Sequence, residues 1–79
     1  MPTFYWDFYG PDARPTAEHH AGHVAEFLAR HGIAGATGVE EGQGYAAAWA
    51  TLPSEHLDAV GRALRPRRWS EEPPDAAAE

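Results

Sequence analysis

The segment from Thr3 to Tyr9, TFYWDFY, constrains the fold more than any other part of the chain. Its aromatic residues favour a β-strand, in which successive side chains point to opposite faces of a sheet. One face of this strand carries Phe4, Trp6 and Phe8. The other face carries Tyr5, Asp7 and Tyr9. The first face is the more apolar, and it is predicted to lie against the core.

The rest of the chain alternates helical and extended patterns. We expect a helix that begins between Asp12 and Thr16, with Thr16 as its N-cap, and that ends at Gly32. Its apolar stripe at helical spacing consists of Ala17, Val24, Phe27 and Leu28. Two strands should follow, at 33–41 and 45–52, joined by a glycine-rich turn. A second helix is predicted over 54–65, and residues 67–70 could form a short last strand.

This order of elements predicts one α+β domain over residues 1–70, a ferredoxin-like βαββα(β) unit with an antiparallel sheet and both helices on one face. Residues 71–79, EEPPDAAAE, are acidic and proline-rich, and are predicted to form a disordered tail.

The second face of this sheet should be open, and it would carry four aromatic residues: Tyr5, Tyr9, Tyr45 and Trp49. An open aromatic face on so small a domain is typical of an interaction surface. We therefore expect a homo-oligomer, a dimer or a trimer, that assembles through this face. A shift of one residue in the strand pattern would instead place the same four residues in the core.

Composition excludes several classes of protein. The 79 residues include no cysteine, so disulfides, thiolate zinc sites and cysteine nucleophiles are excluded. No apolar run approaches the roughly 18 residues of a membrane span, and the N-terminus has no signal-peptide pattern. We expect a cytoplasmic protein that does not bind membranes. The formal net charge of −6 argues against nucleic-acid binding, which needs a basic surface.

Histidines are concentrated on the first helix. His19 and His23 are four residues apart, so their imidazoles lie one turn apart on one face, a spacing that can hold a divalent transition metal. Glu26 could add an oxygen ligand, and a subunit interface could complete the site. The alternative is a solvated helix face. His20 and His31 fall near the apolar stripe and are expected to pack at the edge of the sheet.

Arg65, Arg67 and Arg68 form the one basic cluster of the sequence. Guanidinium groups bind phosphate and carboxylate in a bidentate manner, so this cluster is a candidate site for a nucleotide or another small anion. In the alternative interpretation, Glu71 and Glu72, which follow directly, neutralise it.

No combination of acid, base and nucleophile is evident in the sequence, and neither GxSxG nor GxGxxG occurs. We therefore do not expect an enzyme. The remaining enzymatic hypothesis would use His20 or His56 as an acid–base residue, as in dimeric ferredoxin-like enzymes.

The passage from Phe27 to Thr37, FLARHGIAGAT, followed by EGQG at 41–44, resembles the helix-to-strand passage of small PII-like proteins. In those proteins a helix ending in Gly-Ile leads into a Gly-Ala-Thr strand and a glycine-flanked turn. The resemblance implies a ferredoxin-like trimer that regulates by binding nucleotides or proteins, and the related CutA-like proteins are linked to metals. The signalling members carry a long loop where this chain has only the turn at 42–44.

The sequence as a whole predicts a small non-enzymatic binding or regulatory module that self-associates through its sheet. The first alternative is a metal-binding protein that uses the helix histidines, and the second is a small-molecule enzyme.

Overall fold

The structure, a computed structural model, describes residues 2–70. Its strands form one four-stranded antiparallel sheet in the order β2-β3-β1-β4. The predicted α+β class, with an antiparallel sheet and two helices, is confirmed. The predicted tail at 71–79 lies outside the described residues. The elements in chain order are β1 Thr3–Tyr9, α1 Ala13–Arg30, β2 Ala36–Gly42, β3 Tyr45–Thr51, a 3-10 turn Ser54–His56, α2 Leu57–Leu64 and β4 Arg68–Ser70.

The core lies between the sheet and the two helices. Phe4 and Trp6 of β1 are buried, and they pair with Ala50 and Ala48 of β3. The β3 alanines on this face are fully buried, which lets α1 approach the sheet closely. Val60 of α2 joins the same cluster, so both helices pack on the face that β1 presents through its large apolar residues. The predicted core face of β1 is confirmed.

Helix α1 begins at Ala13, within the predicted interval from Asp12 to Thr16. Its N-cap is Asp12, and the predicted N-cap Thr16 lies inside the helix, because the Thr16 N–H already donates to the Asp12 carbonyl oxygen. The predicted stop at Gly32 is confirmed by its φ of 67°. The Gly32 N–H donates to the Ala29 oxygen and the Ile33 N–H to the Leu28 oxygen, which is the hydrogen-bond pattern of a Schellman motif.

Two other boundaries differ from prediction for identifiable reasons. Strand β2 begins at Ala36 and not at residue 33, because the Ile33 N–H is used to close α1. The second helical segment opens with a 3-10 turn, and its α-helical part ends at Leu64. Within residues 2–70, no helix is both long and apolar enough to cross a lipid bilayer.

Candidate functional site

The face of the sheet away from the helices carries two cross-strand aromatic pairs. Tyr5 lies opposite Trp49, and Tyr9 lies opposite Tyr45, with the ring centres of the second pair 6.3 Å apart. The register therefore confirms the predicted grouping of these residues on one face. Tyr5 is only 6% exposed, whereas Tyr9 is 70% exposed. Their role as an oligomer interface stays a prediction.

Two of these aromatic rings lie flat on the neighbouring strand β2. A Cβ atom added at Gly38 would stand 2.6 Å from Cζ2 of Trp49, so the indole covers this glycine. The Tyr45 ring covers Gly42 in the same way. Because β2 places glycines opposite large aromatic residues, these two rings occupy the space that β2 side chains would otherwise fill.

An ion group lies beside these rings. Arg68 donates from Nε to Oδ2 of Asp7 at 2.9 Å and from Nη2 to Oδ1 at 2.8 Å. The same Nη2 lies 3.6 Å from Oε2 of Glu40, and the guanidinium sits 4.2 Å above the centre of the Tyr5 ring. The hydrogen bonds to Asp7 raise the pKa of Arg68 above its ordinary value. Burial and the nearby Glu40 raise the pKa of Tyr5.

These groups border a shallow depression of about 300 Å³ on the open face. Its lining residues are Asp7, Tyr9, Glu40, Tyr45 and Arg68. The depression thus offers one cation already held by two carboxylates, together with two tyrosine rings. Chemically it suits a flat partner with mixed polar and aromatic groups better than a strongly charged ligand.

The structure divides the predicted arginine cluster. Arg68 belongs to the open face, whereas Arg65 and Arg67 line a different depression of about 370 Å³. The division follows from the positions of the two residues in the fold. Arg65 is the C-cap residue of α2, whereas Arg68 is the first residue of β4 and lies beside Tyr5, on the open face of the sheet. Besides the two arginines, this second depression is lined by Trp6, Asp7, Phe8 and His20.

His20, in this second depression, packs between two aromatic rings and has a buried ring nitrogen. Its ring centre lies 5.0 Å from that of Trp6 and 5.8 Å from that of Phe8. Its Nε2 is buried and forms no hydrogen bond with any residue of the described range. Burial, followed by the charges of His23 and His19, lowers the pKa of His20 below its usual 6.5. The imidazole is therefore neutral at neutral pH.

The structure brings His19 and His23 into contact on the outer side of α1. Their Nε2 atoms are 2.9 Å apart, so one ring donates a hydrogen bond to the other. Glu26 lines the same surface depression. Within residues 2–70, no group of three or more histidine, aspartate or glutamate side chains is arranged to hold a metal ion. A metal site at these residues stays a prediction.

Sequence reasoning placed Asp7 on the same face as Tyr5 and Tyr9 but gave it no role in a site, and it did not assign Glu40 to this face. A charged residue in the middle of an aromatic strand was the available signal for Asp7. His56, the other proposed acid–base residue, lies 3.5 Å from Glu55 in the 3-10 turn and is not among the residues that line the His20 depression.

Comparison of the chain with family models, curated proteins and solved structures finds no match. The resemblance of residues 27–44 to PII-like and CutA-like proteins therefore stays a prediction.

Proposed function

We propose that this chain is a small non-enzymatic binding module that self-associates by packing the open faces of two sheets against each other. The observation that carries the proposal is the placement of two cross-strand aromatic pairs on the face that no helix covers: Tyr5 opposite Trp49, and Tyr9 opposite Tyr45. Burial of this face would favour association, because it would remove the exposed Tyr9 ring and the half-buried Tyr45 and Trp49 rings from water.

We also propose that the fold is of the ferredoxin-like kind. Support comes from the element order βαββαβ and from the strand order β2-β3-β1-β4, in which β3 lies between β1 and β2 and is antiparallel to both. This is the split βαβ arrangement. The PII-like resemblance agrees with such a fold but implies a trimer, whereas face-to-face packing of one open sheet closes as a dimer.

The chemistry of the open face favours a second copy over other partners. An interface related by a two-fold axis must be complementary to itself. This face carries the Arg68 cation and the Asp7 and Glu40 anions, together with rings that can stack on rings of the same kind. A nucleic acid would instead require unpaired cations, and Arg68 is already bound to Asp7.

The size of the face sets the expected strength of association. Strands β1, β2 and β3 each contain seven residues. With a rise of about 3.3 Å per residue and strands about 4.8 Å apart, these three strands cover roughly 330 Å² in projection. A standard interface buries about 800 Å² of accessible surface per partner, so we expect a dimer with micromolar affinity rather than an obligate one.

The test is native mass spectrometry of the untagged protein over a concentration series. The proposal predicts a monomer–dimer equilibrium in the wild type and its loss in Trp49→Arg. A trimer would favour the PII-like arrangement instead. A monomer at every concentration would contradict self-association, provided that circular dichroism shows a folded chain.

A second candidate function is divalent metal binding at His19 and His23. The observation that favours it is the 2.9 Å separation of their Nε2 atoms. Two imidazole nitrogens at about 2.05 Å from one metal and at right angles to each other are also about 2.9 Å apart. This geometry suits Cu²⁺ or Ni²⁺ better than tetrahedral Zn²⁺. Calorimetric titration of wild type with these ions tests it, and unchanged affinity in His19→Ala/His23→Ala would exclude it.

A further inference from the structure

The turn that joins α2 to β4, Arg65-Pro66-Arg67, is held at both ends by hydrogen bonds to other parts of the chain. The Arg65 N–H donates to the Gly61 carbonyl oxygen at 2.9 Å, and the Arg67 N–H donates to the Tyr5 oxygen at 2.8 Å. Trp6 Nε1 donates to the Leu64 oxygen at 2.8 Å, which fixes the residue before the turn. Proline between the arginines restricts the backbone further. The backbone at Arg65 and Arg67, from which the two side chains extend, is therefore fixed in position.

Neither of these arginines has a side-chain partner in the part of the chain that the structure describes. No hydrogen bond or ion pair joins Arg65 or Arg67 to another side chain in residues 2–70, whereas Arg68 is bound by Asp7. Arg65 also has a φ of 52°, a left-handed conformation that glycine normally occupies after a helix. A large cationic residue at this position is disfavoured for folding, which points to a role for its side chain.

The floor of the depression is aromatic, with Trp6 buried and with Phe8 and His20 partly buried. Trp6 and Phe8 contribute apolar surface, and the His20 ring packs against both. His20 Nε2 is buried without a partner, which is costly for a polar atom unless a bound group relieves it. The depression lies open along β1 because β4 pairs only with Thr3–Tyr5 and stops short of the rest of that strand.

The one acidic residue that lines the depression among residues 2–70 is already paired with another arginine. This residue is Asp7, and both oxygens of its carboxylate accept hydrogen bonds from Arg68 on the opposite face of the sheet. The depression is therefore bordered by two arginines that have no side-chain partner within residues 2–70, one neutral imidazole and two aromatic side chains. Two neighbouring guanidinium groups favour binding of an oxyanion such as a carboxylate or a phosphate. The aromatic floor favours an apolar group attached to that oxyanion.

We propose that this depression binds a small molecule that carries a carboxylate or a phosphate on an apolar, aromatic group, with Arg65 and Arg67 holding the oxyanion and Trp6, Phe8 and His20 packing against the apolar body. This proposal does not depend on self-association, because the depression lies on the helix side of β1 and the proposed dimer face lies on the other side.

The test is a titration of ¹⁵N-labelled protein with benzoate, phenyl phosphate, inorganic phosphate and benzamide. The indole resonances of the three tryptophans are followed in one spectrum. The Trp6 resonance reports on the depression, the Trp49 resonance on the open face and the Trp69 resonance on the edge strand β4. We expect saturable shifts of the Trp6 resonance with benzoate or phenyl phosphate, which distinguish the two oxyanions. Inorganic phosphate should bind more weakly, and uncharged benzamide should not bind.

Two variants separate a binding role from a structural one. Arg65→Gly and Arg67→Gln should each weaken binding about tenfold or more, which corresponds to the loss of a charge-assisted hydrogen bond. Arg65→Gly should remain folded, since glycine adopts a positive φ without steric cost. The charge-matched control is Arg30→Gln, on an exposed part of α1, which should bind as wild type does. His20→Phe should keep the apolar contact and reduce binding by a smaller factor.

The proposal is overturned if neither anion gives saturable shifts of the Trp6 resonance at millimolar concentration. It is also overturned if benzamide binds as well as benzoate, or if Arg65→Gly and Arg67→Gln bind both anions with wild-type affinity.

Discussion

Trp6 donates a hydrogen bond of 2.8 Å from its indole Nε1 to the main-chain carbonyl oxygen of Leu64, across 58 positions of sequence. The bond ties the first strand to the end of the second helix. It satisfies a carbonyl that the helix leaves unpaired at its C-terminus, and it positions the arginine turn that follows. One side chain thus links the core to the proposed anion site.

Replacement of Trp6 with phenylalanine should therefore destabilise the domain. The Leu64 carbonyl would lose its partner and the core would lose part of the indole, so we expect the free energy of unfolding to fall by about 2 kcal/mol. Urea denaturation followed by circular dichroism measures it. The matched control is Trp69→Phe, because Trp69 is 56% exposed and its change should be near zero. Equal losses in the two variants would show that the hydrogen bond is not important for stability.

Arg65 and Arg67 should respond in opposite ways to glycine. Arg65 has a positive φ, so Arg65→Gly relieves strain and should raise the free energy of unfolding by about 1 kcal/mol. Arg67 has no such strain, and Arg67→Gly should lower it by about 0.5–1 kcal/mol through greater freedom of the unfolded chain. Thermal melts of the two variants provide the comparison. A loss of stability in Arg65→Gly would mean that its guanidinium supports the fold.

Two glycines should also respond to alanine with opposite signs. At Gly38 a new Cβ would stand 2.6 Å from the Trp49 ring, so the ring must lift from β2, at a cost of about 1–2 kcal/mol. At Gly22, on the exposed side of α1, nothing lies within 4 Å of the new Cβ, and alanine should stabilise the helix by about 1 kcal/mol. Chemical denaturation gives both values. In Gly38→Ala the Trp49 indole resonance should shift as well, and an unmoved resonance would contradict the flat placement of this ring.

Stability should decrease with acidification in part because of His20. Its pKa in the folded state lies below 6.5, since burial and then His23 and His19 disfavour the charged form. The other charged groups that face it across the depression are Asp7, Arg65 and Arg67.

In the unfolded chain His20 titrates near 6.5, so below that pH the unfolded state binds more protons and the folded state loses stability until the folded pKa is passed. Above about pH 7 the His20 contribution is constant. His20→Phe should therefore show a smaller fall in melting temperature between about pH 7.5 and 5.5 than wild type does. An unchanged slope in His20→Phe would contradict a depressed pKa.

The faces of β1 could be predicted from sequence because alternation within one strand is a local property. The stop of α1 at Gly32 could be predicted for the same reason, since a left-handed glycine after a helix needs no distant contact. The start of β2 could not be predicted, because it depends on whether the Ile33 N–H closes the helix or joins the sheet.

The division of the arginine cluster between two depressions also could not be predicted from the sequence. Arg65, Arg67 and Arg68 are neighbours in the chain, but the end of α2 and the direction of β4 send them to two sides of the sheet. The partner of Arg68, Asp7, is 61 positions away and is found only through the pairing of β1 with β4. Short-range patterns place residues on a face of their own element, and long-range strand pairing decides which residues form a site.

Sedimentation equilibrium of a matched pair of variants tests whether the chain self-associates through its open aromatic face. Tyr9→Arg and Trp69→Arg each place the same cation at an exposed aromatic position, the first on the open face and the second on the helix side of β4. Wild type and Trp69→Arg should form dimers at micromolar concentration, while Tyr9→Arg should remain a folded monomer. If Tyr9→Arg dimerises as wild type does, or if wild type does not associate at all, the open aromatic face is not the surface through which this chain assembles.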